Sequence, residues 1–515
     1  MNFQSNISAF LEDSMSYRTI PIVETFTVDT LTPIQMIEQL DRKITYLLES
    51  KDDTSNWSRY SFIGLQPFLT IKEQQNDFTA QDENGSSLYT GKELKEVLDW
   101  MTAAYKIKTP ELAIPFVGGA VGYLSYDMIP IIEPSIPRHR KETEFEKCML
   151  FVCSTLIAYD HETKNVHFIQ YARLNGQETE AEKIAVFNKN HRELQGLIDK
   201  MMDQKNIQEL FLSSESYKTP SFDTVSSNYE KTAFMADVEK IKEYIKAGDI
   251  FQGVLSQKFE IPITADSFEL YRVLRIVNPS PYMYYIKLPD REIVGSSPER
   301  LIHVQDGHLE IHPIAGTRKR GADKKEDEKL KIELMKDEKE KAEHYMLVDL
   351  ARNDIGRVAE YGSVAVPEFT KIVSFSHVMH IISVVTGRLK EGVHPVDALM
   401  SAFPAGTLTG APKIRAMQLL NELEPTPRET YGGCIAYIGF DGNIDSCITI
   451  RTMSVKNGVA SIQAGAGIVA DSVPEAEYEE SCSKAGALLK TIHIAEDMFR
   501  SKGDEADEPI SANVR

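Results

Sequence analysis

Three dipeptides do most to limit what this 515-residue chain can fold into: Asp306-Gly307, Asp441-Gly442 and Asn457-Gly458. Aspartate or asparagine followed by glycine suits a two-residue turn with positive φ at both positions, the turn whose twist matches paired antiparallel strands. Short runs of strand character surround them: Leu301-Ile-His-Val and Leu309-Glu-Ile-His about the first, residues 443–451 after the second, Thr452-Met-Ser-Val and Val459-Ala-Ser-Ile about the third. Residues 251–261 form another run, with Gln252, Val254 and Ser256 on one face and Gly253, Leu255 and Gln257 on the other. Long helical stretches bracket these strands and do not alternate with them. The expected class is therefore α+β, with large antiparallel, sandwich-like sheets flanked by helices.

The first half reads as a helix over 33–49, strands at 60–65, 68–73 and 117–125, and a buried strand at 149–159 that can pair with 167–172. A Lys/Glu/Gln-rich helix over 178–206 follows. Residues 213–227 are rich in Ser, the clearest linker in the chain, and place a division between 1–227 and 228–500. The second region opens on a helix whose Phe234, Val238, Ile241 and Ile245 form one stripe, stopped at Ala247-Gly248. The acidic, Ser-containing stretch 501–515 is expected to be a disordered tail.

Seventy-seven acidic against 57 basic residues give a net charge of −20, which argues against non-specific binding to nucleic acid or to an anionic membrane. An anionic ligand would then need local cations or a metal. Cys148, Cys153, Cys434, Cys447 and Cys482 are an odd set without a C-x-x-C pair, and they read as reduced thiols of a cytoplasmic protein. The N-terminal residues show no basic segment followed by an apolar one, and the longest apolar run, 372–385, is broken by serines and histidines, so neither a secretory nor a transmembrane segment is expected.

Two helix openings carry paired carboxylates. Asp337 with Glu340 is an N-terminal capping signature, and Glu340 and Glu343 fall one turn apart beside the stripe Ala342, Met346 and Leu350. Ser472 with Glu475, and Pro474 between them, reads as a capping box, followed by Glu477, Glu480 and Lys484 at i, i+3 and i+7. Glutamate-rich faces interleaved with lysine are usually solvated surfaces. Here, however, apolar runs follow both pairs, and carboxylates at the border of a core repel one another. A hard cation resolves that conflict, and oxygen donors without thiolate or clustered imidazole favour Mg²⁺ over Zn²⁺.

The ordered series Gly248-Asp-Ile-Phe-Gln252, Ser296-Ser-Pro-Glu299-Arg300, Pro313-Ile-Ala-Gly-Thr317-Arg-Lys-Arg-Gly321, Glu343-His344 with Leu350-Ala-Arg-Asn-Asp354, Gly406-Thr407-Leu-Thr-Gly-Ala-Pro412, Gly465-Ala-Gly467 and Glu477 to Lys484 resembles the chorismate-utilising enzymes. Within them it is most similar to the large subunits of anthranilate synthase. The motifs run through residues 228–490, and the first half is similar to the N-terminal region of those subunits. The resemblance implies Mg²⁺ held by Glu343 and Glu480, with Glu340 and Glu477 contributing through water or substrate. It implies Glu299 as the general acid for the leaving 4-hydroxyl of chorismate, and His380 beside the reacting ring. Thr317, Thr407 and the backbone of Gly465, Ala466 and Gly467 would hydrogen-bond substrate oxygens, while Tyr431, Arg451 and Lys484 would hold the enolpyruvyl side chain.

A feedback site for L-tryptophan is also implied, formed by Glu49, Ser50, Pro281, Tyr282, Met283 and Tyr437. So is a separate glutamine amidotransferase subunit, in a heterotetramer of two large and two small chains. Only Gly432-Gly-Cys434-Ile-Ala approaches a nucleophile elbow, and it leads into strand-like sequence, so no built-in glutaminase is expected. Relatives that add water at C2 carry a lysine base where this chain has Gln252, and relatives that aminate C4 carry a lysine nucleophile where it has Ala315. Both differences favour amination at C2, over the alternatives of an aminodeoxychorismate synthase or a non-catalytic amino-acid sensor.

Overall fold

The computed structural model describes residues 6–51, 59–141, 143–202, 210, 222, 225–374 and 378–499. The linker 213–227 falls mostly outside them, as does the tail from 501. Two of the three turn dipeptides act as the sequence requires, while Asp441-Gly442 takes positive φ at the glycine alone, in a four-residue loop. Asp306 and Gly307 (φ 50° and 75°) join Arg300–Gln305 to His308–Ile311, and Asn457 and Gly458 (φ 50° and 73°) join Thr452–Lys456 to Val459–Ile468. Gly442, at φ 82°, closes Cys434–Gly439 onto Ile444–Ile448. The helix Lys231–Ala247 buries Phe234, Val238 and Ile241 and ends where Gly248 takes φ 84°, a conformation that costs glycine nothing.

The strands form two broad antiparallel surfaces. One runs, neighbour to neighbour, Thr19–Thr27, Asn165–Arg173, Cys148–Asp160, Tyr60–Gln74, Tyr46–Glu49, Tyr282–Lys287, Glu292–Ser297, Thr452–Lys456, Val459–Ile468, Gln252–Pro262. The other runs Ser87–Gly91, Asp77–Asp82, Tyr60–Gln74, Cys148–Asp160, Gly119–Leu124, Cys434–Gly439, Ile444–Ile448, Arg300–Gln305, His308–Ile311, Val378–Arg388. The last of these also pairs with Ile314–Lys319 and Ala365–Ser374. Tyr60–Gln74 and Cys148–Asp160 belong to both surfaces. They change neighbours near Gln66, which sits at φ 55° beside a register shift at Pro67, as a bulge bends a strand between sheets.

Three expectations are corrected. The helix expected over 33–49 stops at Gln39: the Thr32/Gln35 capping box starts it, Asp41 and Arg42 at φ 55° and 56° end it, and Tyr46–Glu49 is a strand between two others. The division at 227 is not a break in the sheets, because strands from either side of it pair directly, Glu49 with Met283 and Val121 with Tyr437. The box at Ser472 does not form. That helix starts at Pro474, Ser472 Oγ accepts from Val469 N–H (3.0 Å), and Glu475 turns out to Lys231 Nζ (2.7 Å). At the other helix, Glu338–Gly356, Asp337 caps the N–H groups of Lys339 and Glu340 as expected.

Candidate active site

The strands Gln252–Pro262 and Val459–Ile468 pair in a register that sets Val254 opposite Gly467 and Ser256 opposite Gly465. Side chains alternate across a strand, so Gly465 and Gly467 open onto one face while the methyl of Ala466 is buried on the other with Phe234, Ile241 and Leu255. The missing Cβ atoms matter on the open face. A Cβ at Gly467 would lie 2.6 Å from Gln252 Nε2, and one at Gly465 would lie 3.0 Å from Tyr431 Oη. Lys484, on the helix Pro474–Phe499, reaches over this floor to donate to Gly465 O (3.0 Å) and pairs with Glu480 (2.8 Å).

Glu299 follows the strand Glu292–Ser297 and accepts a hydrogen bond from Thr407 Oγ1 (2.8 Å) in a cleft lined by Pro313, Leu347, Leu350 and Gly406. Burial pushes its carboxyl up from 4.5 to about 7, against the opposing pull of the Thr407 bond and of the charges on Arg451 and Lys484. A carboxyl so placed can keep its proton toward neutral pH. His380 lies opposite Thr317 on paired strands, its Nδ1 3.0 Å from Gly316 O and 3.1 Å from Thr317 Oγ1. Burial holds this imidazole below its ordinary value, and the charge of Arg451 acts in the same direction. In the neutral ring the carbonyl of Gly316 fixes the proton on Nδ1 and leaves the lone pair on Nε2.

The four glutamates sit on two helices, Glu340 and Glu343 on one, Glu477 and Glu480 on the other. Glu343 is pushed up by burial and by the charges of Glu340 and Glu480, with a hydrogen bond from Gln252 opposing; Glu477 is pushed up by burial and by Glu480. Glu340 turns toward Arg318 (3.0 Å), which also holds Asp337 (2.7 Å) and so ties the strand of Thr317 to the glutamate helix. Among the described residues no three acidic, His or Cys side chains converge at ligating distance. The donor set nonetheless fits Mg²⁺, which uses one or two carboxylates and takes its remaining ligands from water and substrate. Such an ion would ease the like charges of Glu340 and Glu480 that act on Glu343.

Four of the six residues expected at a feedback slot fall on two faces. Met283 packs with Leu47, Tyr271 and Leu274, and Glu49, opposite it, is held by Tyr271 Oη (2.5 Å), Arg275 Nε and Nη2 (3.1 Å each) and Ser61 Oγ (3.1 Å). Burial pushes Glu49 up, but Arg275 and Tyr271 outweigh it and hold the carboxyl below its ordinary value. Tyr282 and Tyr437 lie on the other face, where Tyr282 Oη joins Asp445 (3.1 Å) and Arg300 (2.7 Å). Ser50 follows the strand, and Lys51 N–H donates to Ser280 O (3.2 Å), so the 278–281 loop lies against it. Ser50 Oγ and Asn278 Nδ2 are both buried without a hydrogen-bond partner. Asn278 opens the stretch 278–284 that resembles the feedback site in sequence, but was not expected to line the slot, since an asparagine before proline signals only a turn.

Comparison with known proteins places this geometry. Residues 44–490 match the chorismate binding enzyme family. The anthranilate synthase component 1 of Bacillus subtilis (strain 168) is 88% identical over 515 residues, covering 100% of both chains. The chain belongs to the chorismate-binding enzymes, in the anthranilate synthase component 1 family. The crystal structure of anthranilate synthase component I from Streptococcus pneumoniae TIGR4 matches with a TM-score of 0.72 and 34% identity, over 90% of this chain and 98% of that one. A menaquinone-specific isochorismate synthase from Escherichia coli shares the fold at a TM-score of 0.66 and 17% identity, over 94% and 98% of the two chains. Of the residues expected at the site, the structure brings Thr407 against Glu299, with the charges of Arg451 and Lys484 acting on that carboxyl, sets His380 against Thr317, Gln252 beside Glu343 and Gly467, Tyr431 beside Gly465, and Lys484 against Gly465 and Glu480, from strands, loops and helices far apart in sequence.

Proposed function

We propose that this chain is the large subunit of an anthranilate synthase. In this reading it converts chorismate and ammonia to anthranilate and pyruvate through 2-amino-2-deoxyisochorismate, the first committed step of tryptophan synthesis. The observation that carries the reading is Glu299, a carboxyl with a value of about 7 within reach of the charges on Arg451 and Lys484. The two cations suit the carboxylate of the enolpyruvyl group, and Tyr431 borders them at Gly465. Glu299 gives its proton to the departing 4-hydroxyl, which leaves as water. Gln252 positions the incoming ammonia: it cannot deprotonate water, and ammonia needs no base to attack C2. His380 lies beside the reacting ring. Mg²⁺ on Glu343 and Glu480 would supply charge compensation for the ring carboxylate.

Ammonia comes from a separate glutamine amidotransferase in a heterotetramer of two large and two small chains. Support for a separate source comes from Cys434, which is fully buried in a strand with its thiol pushed up to about 12 by burial; such a thiol is no glutaminase nucleophile. L-Tryptophan binds at Ser50 and the 278–282 loop as a feedback inhibitor. The reading is supported there by the unpaired Ser50 Oγ and Asn278 Nδ2, since buried polar atoms without partners are costly unless a ligand supplies them.

The test is incubation of the pure chain with chorismate, Mg²⁺ and an ammonium salt, following anthranilate fluorescence and pyruvate. Equal amounts of both products are expected, with no turnover when glutamine replaces ammonium. Formation of 4-amino-4-deoxychorismate, isochorismate or salicylate would overturn the roles given to Gln252 and Ala315, and glutamine-dependent turnover would overturn the need for a partner.

A further inference from the structure

Arg428 lies between the helix Lys413–Leu423 and the strand Cys434–Gly439 and is 2% exposed, its partner Glu424 4%. Arg428 Nε and Nη2 donate to the two oxygens of Glu424 at 2.7 Å each, Nη1 to Leu408 O and Nη2 to Val254 O, again at 2.7 Å. The rings of Tyr126 and Tyr431 lie 4.4 and 5.6 Å from its guanidinium carbon. Glu424 in turn accepts from Ser256 N–H (2.9 Å) and Oγ (2.7 Å).

A buried ion pair gains little net stability, because desolvation offsets the attraction. What a planar guanidinium gives is direction: its donors leave in fixed directions that an ammonium cannot reproduce. Here they reach the carbonyls of Leu408 and Val254. Leu408 follows Thr407, and Val254 lies two residues beyond Gln252 on the same face of its strand. Tyr431 is three residues from Arg428 itself.

We propose that Arg428, held by Glu424, is a positioning residue for the active site, fixing Thr407 against Glu299, Gln252 over Gly467 and Tyr431 against Gly465. No element of substrate need touch it. It acts through the Leu408 and Val254 carbonyls and the Tyr431 ring. This inference rests on Glu299 as the general acid.

The test is Arg428→Lys, which keeps the charge and loses the fork, read by kcat, KM and the pH profile of anthranilate formation. Displacement of the catalytic groups lowers kcat by roughly 10²-fold, with KM for chorismate less affected. The alkaline limb of kcat, which reports the proton on Glu299, moves to higher pH, because the Thr407 hydrogen bond favours the ionised carboxyl and its loss raises the value. Arg451 and Lys484 still face Glu299 in the variant. Thr407→Val moves the limb the same way, and the double variant moves it no further. If Arg428→Lys does not fold, Tyr126→Leu removes the ring stacked on the guanidinium and produces a smaller shift of the same sign. Variants that lower the melting temperature yet leave kcat and the alkaline limb in place overturn the positioning role. A wild-type profile with no alkaline limb near neutral pH overturns instead the acid role of Glu299.

Discussion

Replacing Glu299 by glutamine should remove activity and add stability, and the added stability should depend on pH. In the folded protein burial raises this carboxyl from 4.5 to about 7, whereas in the unfolded chain it titrates near its ordinary value. Between those two values the folded state holds a proton that the unfolded state has released, so stability falls as the pH rises through the window. At about 1.4 kcal/mol per pH unit the full loss is roughly 3 kcal/mol, reached above the folded value. Solvent entering the cleft reduces it to about 2 kcal/mol. Glutamine is close in shape and does not titrate. Glu299→Gln should therefore unfold at higher urea than wild type near pH 8 and nearly match it near pH 5, where Glu299 is protonated in the fold. Turnover should drop by roughly 10²–10⁴-fold, the usual contribution of a general acid. Urea titrations of both proteins at the two pH values, with anthranilate fluorescence for activity, make the comparison. A stability difference that is constant with pH, or larger near pH 5, would falsify the assignment of a raised carboxyl to Glu299.

Two further outcomes test the other parts of the site. Glu343→Gln and Glu480→Gln should each reduce Mg²⁺-dependent turnover by roughly 10²-fold or more, seen as a lost response in a Mg²⁺ titration; near wild-type turnover in both sinks the metal assignment. Ser50→Phe fills the space beside Asn278 and should raise the L-tryptophan concentration for half-inhibition by about tenfold or more, while inhibition equal to wild type removes Ser50 from the feedback site.

The turns and the amphipathic helices were legible in the sequence because their physics is local. Asp306-Gly307 and Asn457-Gly458 adopt positive φ whatever lies around them, Gly248 ends a helix for the same reason, and Asp337 caps its own next turn. The motif residues of the cleft could be named from sequence for a different reason, that their order along the chain matches a family. What the sequence could not settle was set by distant partners. Residues 33–49 look helical throughout, yet Tyr46–Glu49 becomes a strand because Tyr282–Lys287 offers it an edge more than two hundred residues away. The same pairing sends Glu49 and Met283 to the opposite face from Tyr282, a consequence of register that no local pattern contains. Glu299 is an ordinary acid after a proline until the cleft closes around it, and only burial, against the opposing pull of Thr407, Arg451 and Lys484, gives it a proton to donate near neutral pH. Arg428 carried no motif at all, since its meaning lies in two carbonyls, of Val254 and Leu408, that only the folded chain brings within reach of one guanidinium.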